Sequence, residues 1–455
     1  MIEARESKRP FLWGAATSAH QIEGYNEKSD WWTWESQGHI EGGAKSGAAT
    51  DHWNRAKEDI RLAADLGLNS YRFSVEWAKV EPEEGRFDLG VLEWYEALIA
   101  ECEHLGLLPM LTLHHFSSPQ WFAAEGGFTR PKAPIKFLNY VKQVAKALGS
   151  RVPIWCTFNE PMVLVAGSYL AQFMPPAEFS PLHASQACHQ LLKSHVLTYD
   201  YLHSLNSERK GPWKNTPIQI GIAHNMLDFM PDRPWHPIEW ILTKVLWRFY
   251  NRSWLDAVTG GRPRFGIPGL VPEAEPVSEA RNRKTVDYIG INYYTKAYVQ
   301  WRPSGGAQNQ SSELPIGIAF AKKKELASDV GWSVYPQGLR SILHYVGKYG
   351  LPMYVTENGI ADREDRLRSY YLLTHLNVIL EEVERGMDIR GYYHWSLLDN
   401  FEWIKGFGPR FGFYQVNYET FERTLRSSGA LYKKVIKAAQ KGRGRELICN
   451  QLRML

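Results

Sequence analysis

Cysteine is scarce in this chain: four in 455 residues, Cys102, Cys156, Cys188 and Cys449. No two stand in C-x-x-C spacing and none belongs to a Cys/His pattern, so a disulfide framework and a thiolate metal site are excluded. They read as buried or incidental thiols of a reducing compartment. Long apolar runs are missing too. No stretch of about 18 uncharged apolar residues occurs, so no spanning helix is expected. The opening "MIEARESKRPFLWG" has no apolar core of a signal peptide, and the expected setting is cytoplasmic. Without secretion, the N-x-S triplets at Asn251 and Asn309 are chance matches.

Charge of one sign is barely in excess: 53 Lys and Arg against 49 Asp and Glu, a net +4. The one basic cluster, "YKKVIKAAQKGRGR", reads as a solvated helix face with a frayed tail, and no nucleic-acid readout motif stands near it. There is no HExxH, no G-x-S-x-G elbow and no glycine-rich phosphate loop after the first strand. "GFGPRFG" has the wrong spacing. His114 and His115 are adjacent, so on one strand they point to opposite faces and cannot share a metal. No metal or cofactor is expected.

Aromatics, in contrast, abound: 18 Trp, 23 Tyr and 19 Phe. They suit core packing, and equally a groove where flat faces stack on ligand rings. Short apolar runs alternate with amphipathic segments. The candidate strands are "FLWGAAT", "SYRFSVEW", "LPMLTLHH", "IWCTFNEP", "IQIGIAHN", "YIGINYY", "MYVTENG" and "GYYHWSLLD". Several are apolar throughout, as parallel strands covered on both faces should be. Between them, stripes such as Leu92, Tyr95, Leu98, Ile99, Cys102 and Leu105, or Trp53, Ala56, Ile60 and Ala63, follow helical spacing. Gly67, Gly106, Gly149, Gly350 and Gly386 each suit a left-handed helix stop shortly before a strand. Eight βα units without a composition break predict one α/β domain over 1–455, a single (β/α)8 TIM barrel with elaborated loops near 24–50, 169–190 and 300–325. The competing doubly wound sheet would prefer the phosphate loop that is missing.

A barrel of this kind builds its site at the C-terminal strand ends. There stand Gln21, Arg72, His115, Asn159, Glu160, Asn225, Asn292, Tyr294, Glu357, Asn358 and Trp395. Amides, aromatics, one cation and two carboxylates suit a neutral ligand rich in hydroxyls, such as a sugar. "TFNEP" and "VTENG" set Glu160 and Glu357 facing each other across the mouth. Two carboxylates flanking a glycosidic bond are what its hydrolysis requires. The acid is raised by the neighbouring anion, and a cation, for which Arg72 is the candidate, keeps the nucleophile ionised.

At these residues the chain resembles glycoside hydrolase family 1, the β-glucosidase family, nearly end to end. "FLWGAATSAHQIEG", "YRFSVEW", "TFNEP", "GWSVYPQGL", "YVTENG" and "HWSLLDNFEW" match its motifs in order. The resemblance implies Glu160 as acid/base and Glu357 as nucleophile of a retaining double displacement. It implies that Asn159 binds the sugar 2-hydroxyl, that Arg72 and Tyr294 hold Glu357 with Asn292 nearby, and that Gln21, His115, Glu402 and Trp403 grip the terminal sugar above a Trp395 floor. Trp332 and Asn225 would lie on the leaving-group side. Glu402 argues against 6-phosphorylated sugars, and Glu160 against the thioglucosidase variant, which has glutamine there. Two departures stand out: Ser117, where aspartate is common, and the tryptophan-rich "DWWTWE". The implied activity is an exo-acting β-glycosidase, chiefly a β-glucosidase, with a small-molecule β-glycoside or oligosaccharide as partner and no nucleic acid or membrane. An endo-acting β-glycanase and a non-catalytic sugar-binding relative are the alternatives. The latter usually lacks one of the two glutamates.

Overall fold

The computed structural model describes residues 10–205, 210–302 and 316–454. Asn309, the first nine residues and the middle of the 300–325 stretch therefore lie outside the described residues. Eight parallel strands close into a barrel in chain order. They are β1 (Leu12–Ala16), β2 (Ser70–Ser74), β3 (Leu108–His114), β4 (Ile154–Asn159), β5 (Gln219–Asn225), β6 (Tyr288–Asn292), β7 (Met353–Asn358) and β8 (Ile389–Trp395). The ring closes where Trp13 pairs with Tyr392 and Ala16 with Trp395.

The strands lack alternation for the expected reason. Their outward residues, among them Tyr71, Phe73, Trp155, Phe158 and Val355, pack under the helices, while Met110, Ile154, Tyr288, Tyr354 and Tyr393 fill the barrel interior. Both faces are thus out of water. Gly14 makes room for this filling, because a Cβ there would sit 2.3 Å from the Tyr393 ring.

Helices His52–Asp65 and Leu89–His104 follow the predicted stripes, with Ile60, Ala63, Tyr95, Ile99 and Cys102 fully buried. Gly67, Gly106, Gly350 and Gly386 take φ of 82°, 71°, 65° and 96°, the left-handed stops anticipated. Gly149 does not. It closes Ala133–Leu148 in right-handed geometry, φ −59° and ψ −33°, and the chain turns to β4 through Val152 and Pro153, which cannot donate to a further helical turn. The basic C-terminal cluster lies on a helix, Ser427–Ala439, that buries Tyr432, Val435 and Ile436 and leaves Lys434 and Lys437 exposed. After an exposed turn over 440–443 a further helix, Gly444–Leu452, is anchored by the buried Ile448.

The elaborated loops sit at the C-terminal end of the barrel. The 24–50 stretch holds a short helix, Asp30–Ser36. The loop after 169 ends at 180, because Pro181–Ser204 is helical. After β5 the chain adds the strand Asp228–Pro231, the helix Pro237–Leu246 and a π-helical turn, Trp247–Arg252. Asn251, in that turn, is fully buried and bonds the backbone of Leu227 through its amide. Among the described residues no helix is long and apolar enough to cross a membrane.

Candidate active site

Strand β4 ends in N-E-P because three demands meet there. Asn159 closes the strand, Glu160 takes left-handed backbone angles (φ 48°, ψ 58°), and Pro161 opens the helix Pro161–Tyr169 at the position that proline favours. A non-glycine residue held there costs about 1–3 kcal/mol, a strain typical of functional sites. The Glu160 amide is held by Ala223 O of β5 at 2.7 Å. The β4–β5 register shifts between Cys156 and Asn159, and the β7–β6 register between Val355 and Glu357. Such irregularities re-aim side chains at a strand end.

Arg72 ties the two strands together. Its Nη1 donates to Glu357 Oε1 at 2.6 Å and to Thr356 O at 3.1 Å, its Nη2 to Asn159 Oδ1 at 2.7 Å, and its Nε to Thr112 Oγ1 at 3.2 Å. Tyr294 donates to the other Glu357 oxygen at 2.6 Å. Asn292 Nδ2 donates to Glu160 Oε1 at 2.8 Å and to Asn159 Oδ1 at 3.0 Å, and Thr356 donates to its Oδ1 at 2.7 Å. Asn225 donates to Glu160 Oε1 at 3.1 Å.

These partners separate the two carboxyls. Burial and the Glu357 charge push Glu160 up to about 8, against the pull of two amides and Arg72. Burial raises Glu357 as well, but Arg72 and Tyr294 oppose it directly. The two carboxyls are therefore treated unlike: a cation and a phenol favour the charged form of Glu357, and only neutral amides touch Glu160.

The remaining predicted residues join this network through rings and hydrogen bonds. His115 stacks near Trp395 and Trp403, with ring centres 5.8 and 6.0 Å away. Its Nε2 faces Asn159 Nδ2 at 3.1 Å. Because Asn159 Oδ1 already accepts from Arg72 and Asn292, its amide nitrogen must point at His115, so Nε2 accepts and the ring proton sits on Nδ1. Burial, with Arg72 adding to it, holds this histidine neutral. Trp395 Nε1 donates to Glu402 Oε1 at 3.1 Å, and burial pushes Glu402 up to about 8. Gln21 is more committed to the protein than expected. Its amide donates to Asn400 Oδ1 and Phe401 O at 2.8 and 2.9 Å and accepts from Ser18. Trp332 lies beside Tyr294 and Phe411, at 5.5 and 6.3 Å.

Two predicted positions behave differently. Asn358 turns outward, donating to Tyr293 O and Tyr371, because it follows an inward-facing Glu357 on the same strand. Asn225 touches Glu160 itself rather than only a leaving-group region. Sequence reasoning missed Thr356, Thr112, Asn400 and Tyr250. Asn400 stood in a quoted motif, whereas Tyr250, in "RFYNR", carried no signal. Ser117, at the departure noted above, donates to the buried Glu76 at 2.7 Å. Among the described residues, no group of three or more His, Cys, Asp and Glu side chains is placed to hold a metal.

Comparison with known proteins gives a consistent answer. The model of glycosyl hydrolase family 1 matches residues 5–441. A β-galactosidase of Pyrococcus woesei is 30% identical, covering 94% of this chain and 96% of its own. A β-glucosidase A of Acetivibrio thermocellus is 32% identical over 94% and 98%. Among solved structures, a psychrophilic β-glucosidase from Micrococcus antarcticus superposes with TM-score 0.85 at 33% identity, covering 94% and 97%.

Proposed function

The chain belongs to glycosyl hydrolase family 1, and on that premise we propose that it is a retaining, exo-acting β-glycosidase. It acts foremost as a β-glucosidase, with side activity on β-galactosides and β-fucosides and with some transfer to sugar acceptors. The reading treats 1–455 as one catalytic domain working in the cytoplasm, where its four free thiols would stay reduced.

The observation that carries it is the unlike treatment of two buried glutamates. Glu357 is held by a cation and a phenol, and Glu160 only by neutral amides. In the first step the Glu357 carboxylate bonds to the anomeric carbon while Glu160 passes its proton to the departing glycosidic oxygen. In the second, Glu160, now a carboxylate, takes a proton from water as that water displaces Glu357. Inversion twice retains the β configuration. Asn159, fixed by Arg72 and Asn292, would meet the 2-hydroxyl, where contacts strengthen as the oxocarbenium-like state forms. Gln21, His115, Glu402 and Trp403, with the Trp395 face, suit one terminal sugar, which favours exo action.

Treatment with a 2-deoxy-2-fluoro-β-glucoside bearing a dinitrophenolate leaving group, followed by peptide mapping, tests the assignment. The label is expected on Glu357, and a label elsewhere overturns it. Cello-oligosaccharides should lose single terminal glucose units, whereas internal fragments from a long glucan would instead indicate an endo-acting enzyme.

A further inference from the structure

We propose that Tyr250 is a positioning residue for Glu160: by orienting Asn225 it directs a second amide onto Oε1 and leaves Oε2 as the oxygen that carries the transferable proton. The inference rests on the reading of Glu160 as the acid and adds a residue to it. Three hydrogen bonds form the link: Tyr250 OH to Asn225 Oδ1 at 2.7 Å, Asn225 Nδ2 to Glu160 Oε1 at 3.1 Å, and Asn292 Nδ2 to the same oxygen at 2.8 Å.

The direction of each bond can be followed from a fixed charge. Arg72 can only donate, so Asn159 Oδ1, 2.7 Å from Nη2, is an acceptor. Asn292 presents its nitrogen to that acceptor at 3.0 Å, and the same nitrogen therefore donates to Glu160 Oε1. An oxygen already accepting one N–H is the poor place for a carboxylic proton, which moves to Oε2. Asn225 has no such anchor among the charged groups. Turned over, its amide would set Oδ1 against the accepting Oε1, and the Tyr250 hydroxyl, donating to Oδ1 at 2.7 Å, holds the nitrogen toward Glu160. Burial and the nearby Glu160 keep the phenol well above its ordinary range, so it always has a proton to donate.

The backbone supports the same role. Tyr250 lies in the π-helical turn Trp247–Arg252, the kind of widened turn often found at functional sites. That turn is clamped to the end of β5, since His224 Nε2 meets Asn251 O at 3.0 Å and Asn251 bonds both backbone groups of Leu227 at 3.2 and 2.8 Å. The clamp holds Tyr250 against the strand that carries Asn225. When the proton leaves Oε2 for the glycosidic oxygen and the aglycone departs as a neutral alcohol, Glu160 is left as a carboxylate with two N–H donors on Oε1. Asn225 thus favours the deprotonated form.

The variant is Tyr250→Phe, with Asn225→Ala and the double variant beside it. The direct readout is a carbon-13 NMR titration of the Glu160 carboxyl, assigned by its loss in Glu160→Gln. In Tyr250→Phe it should titrate higher by about half to one pH unit, the size of one net hydrogen bond. Asn225→Ala should match it, and the double variant should move no further. The basic limb of kcat/KM for an alkyl β-glucoside should rise equally. An unmoved Glu160 titration, or a full further shift from Tyr250→Phe in the Asn225→Ala background, overturns the inference. A moved titration with an unmoved basic limb would uphold the Tyr250 link and overturn Glu160 as the acid.

Discussion

Arg72 and Glu357 form a 2.6 Å ion pair in which the side chains are 1% and 4% exposed. Removing one partner of such a pair leaves a buried charge uncompensated, at a typical cost of about 3–5 kcal/mol. In Arg72→Met that cost falls on Glu357, whose carboxyl is already raised by burial and loses its main opposing influence. Its protonation then persists to higher pH. The acid limb of the kcat/KM profile should move up, and activity at neutral pH should fall about a hundredfold or more. A profile with its acid limb in place would show that Glu357 does not depend on this cation.

Glu160→Ala separates leaving-group chemistry from the rest. Acid assistance is worth roughly 10²–10⁴ in rate, but a dinitrophenolate needs no proton to depart. The variant should lose most of its turnover on alkyl glucosides, while the first step with dinitrophenyl glucoside stays near wild type and the glycosyl-enzyme accumulates. Glu357→Ala should be inactive on both. Equal losses of Glu160→Ala across the leaving-group series would remove Glu160 from the role of acid.

Glu160 also opposes stability, in a pH-dependent way. Its carboxyl moves from an ordinary 4.5 to about 8 on folding, through burial first and Glu357 second. The folded state therefore holds the proton more tightly than the unfolded chain. That preference is fully available below about pH 4.5 and is lost as the pH climbs through about 8. Glu160→Gln keeps an acceptor for Asn225 and Asn292 but removes the titration. Its urea midpoint should exceed wild type clearly at pH 8 and little at pH 5. The same difference at both values would exclude this carboxyl as the cause.

The barrel was legible because eight apolar runs and four left-handed glycine stops share one grammar, and because polar residues recur at the strand ends. The carboxylate pair was legible for a related reason: an acid placed amid Trp155, Phe158 and Val355 is costly unless it works. What stayed hidden depends on contacts distant in sequence. Asn358 faces outward beside the inward Glu357, and the partners that hold it there, Tyr293 O and Tyr371, lie on other elements. Tyr250 reaches Glu160 only through a π-helical turn and an amide on another strand. The helix Gly444–Leu452 begins only where the basic run ends, and what fixes it is remote in the chain: Arg445 pairs with Glu384 and Ile448 reaches the core.

Glu402 carries the last prediction, on the choice of sugar. Trp395 Nε1 donates to Glu402 Oε1 at 3.1 Å, and burial pushes this carboxyl up to about 8. Glu402→Gln keeps an oxygen for Trp395 and nearly the same volume, so the stacking floor stays in place. What goes is the capacity to become an anion that accepts from sugar hydroxyls. Hydrogen bonds to a charged partner contribute about 1.5–3 kcal/mol, so kcat/KM for an aryl β-glucoside should fall roughly tenfold to a hundredfold. A 6-deoxy sugar such as an aryl β-fucoside has one hydroxyl fewer to lose and should suffer less, so the fucoside-to-glucoside ratio rises. Identical losses on the two sugars would mean that Glu402 does not contact the 6-hydroxyl, and the specificity would then have to come from Gln21 and Trp403.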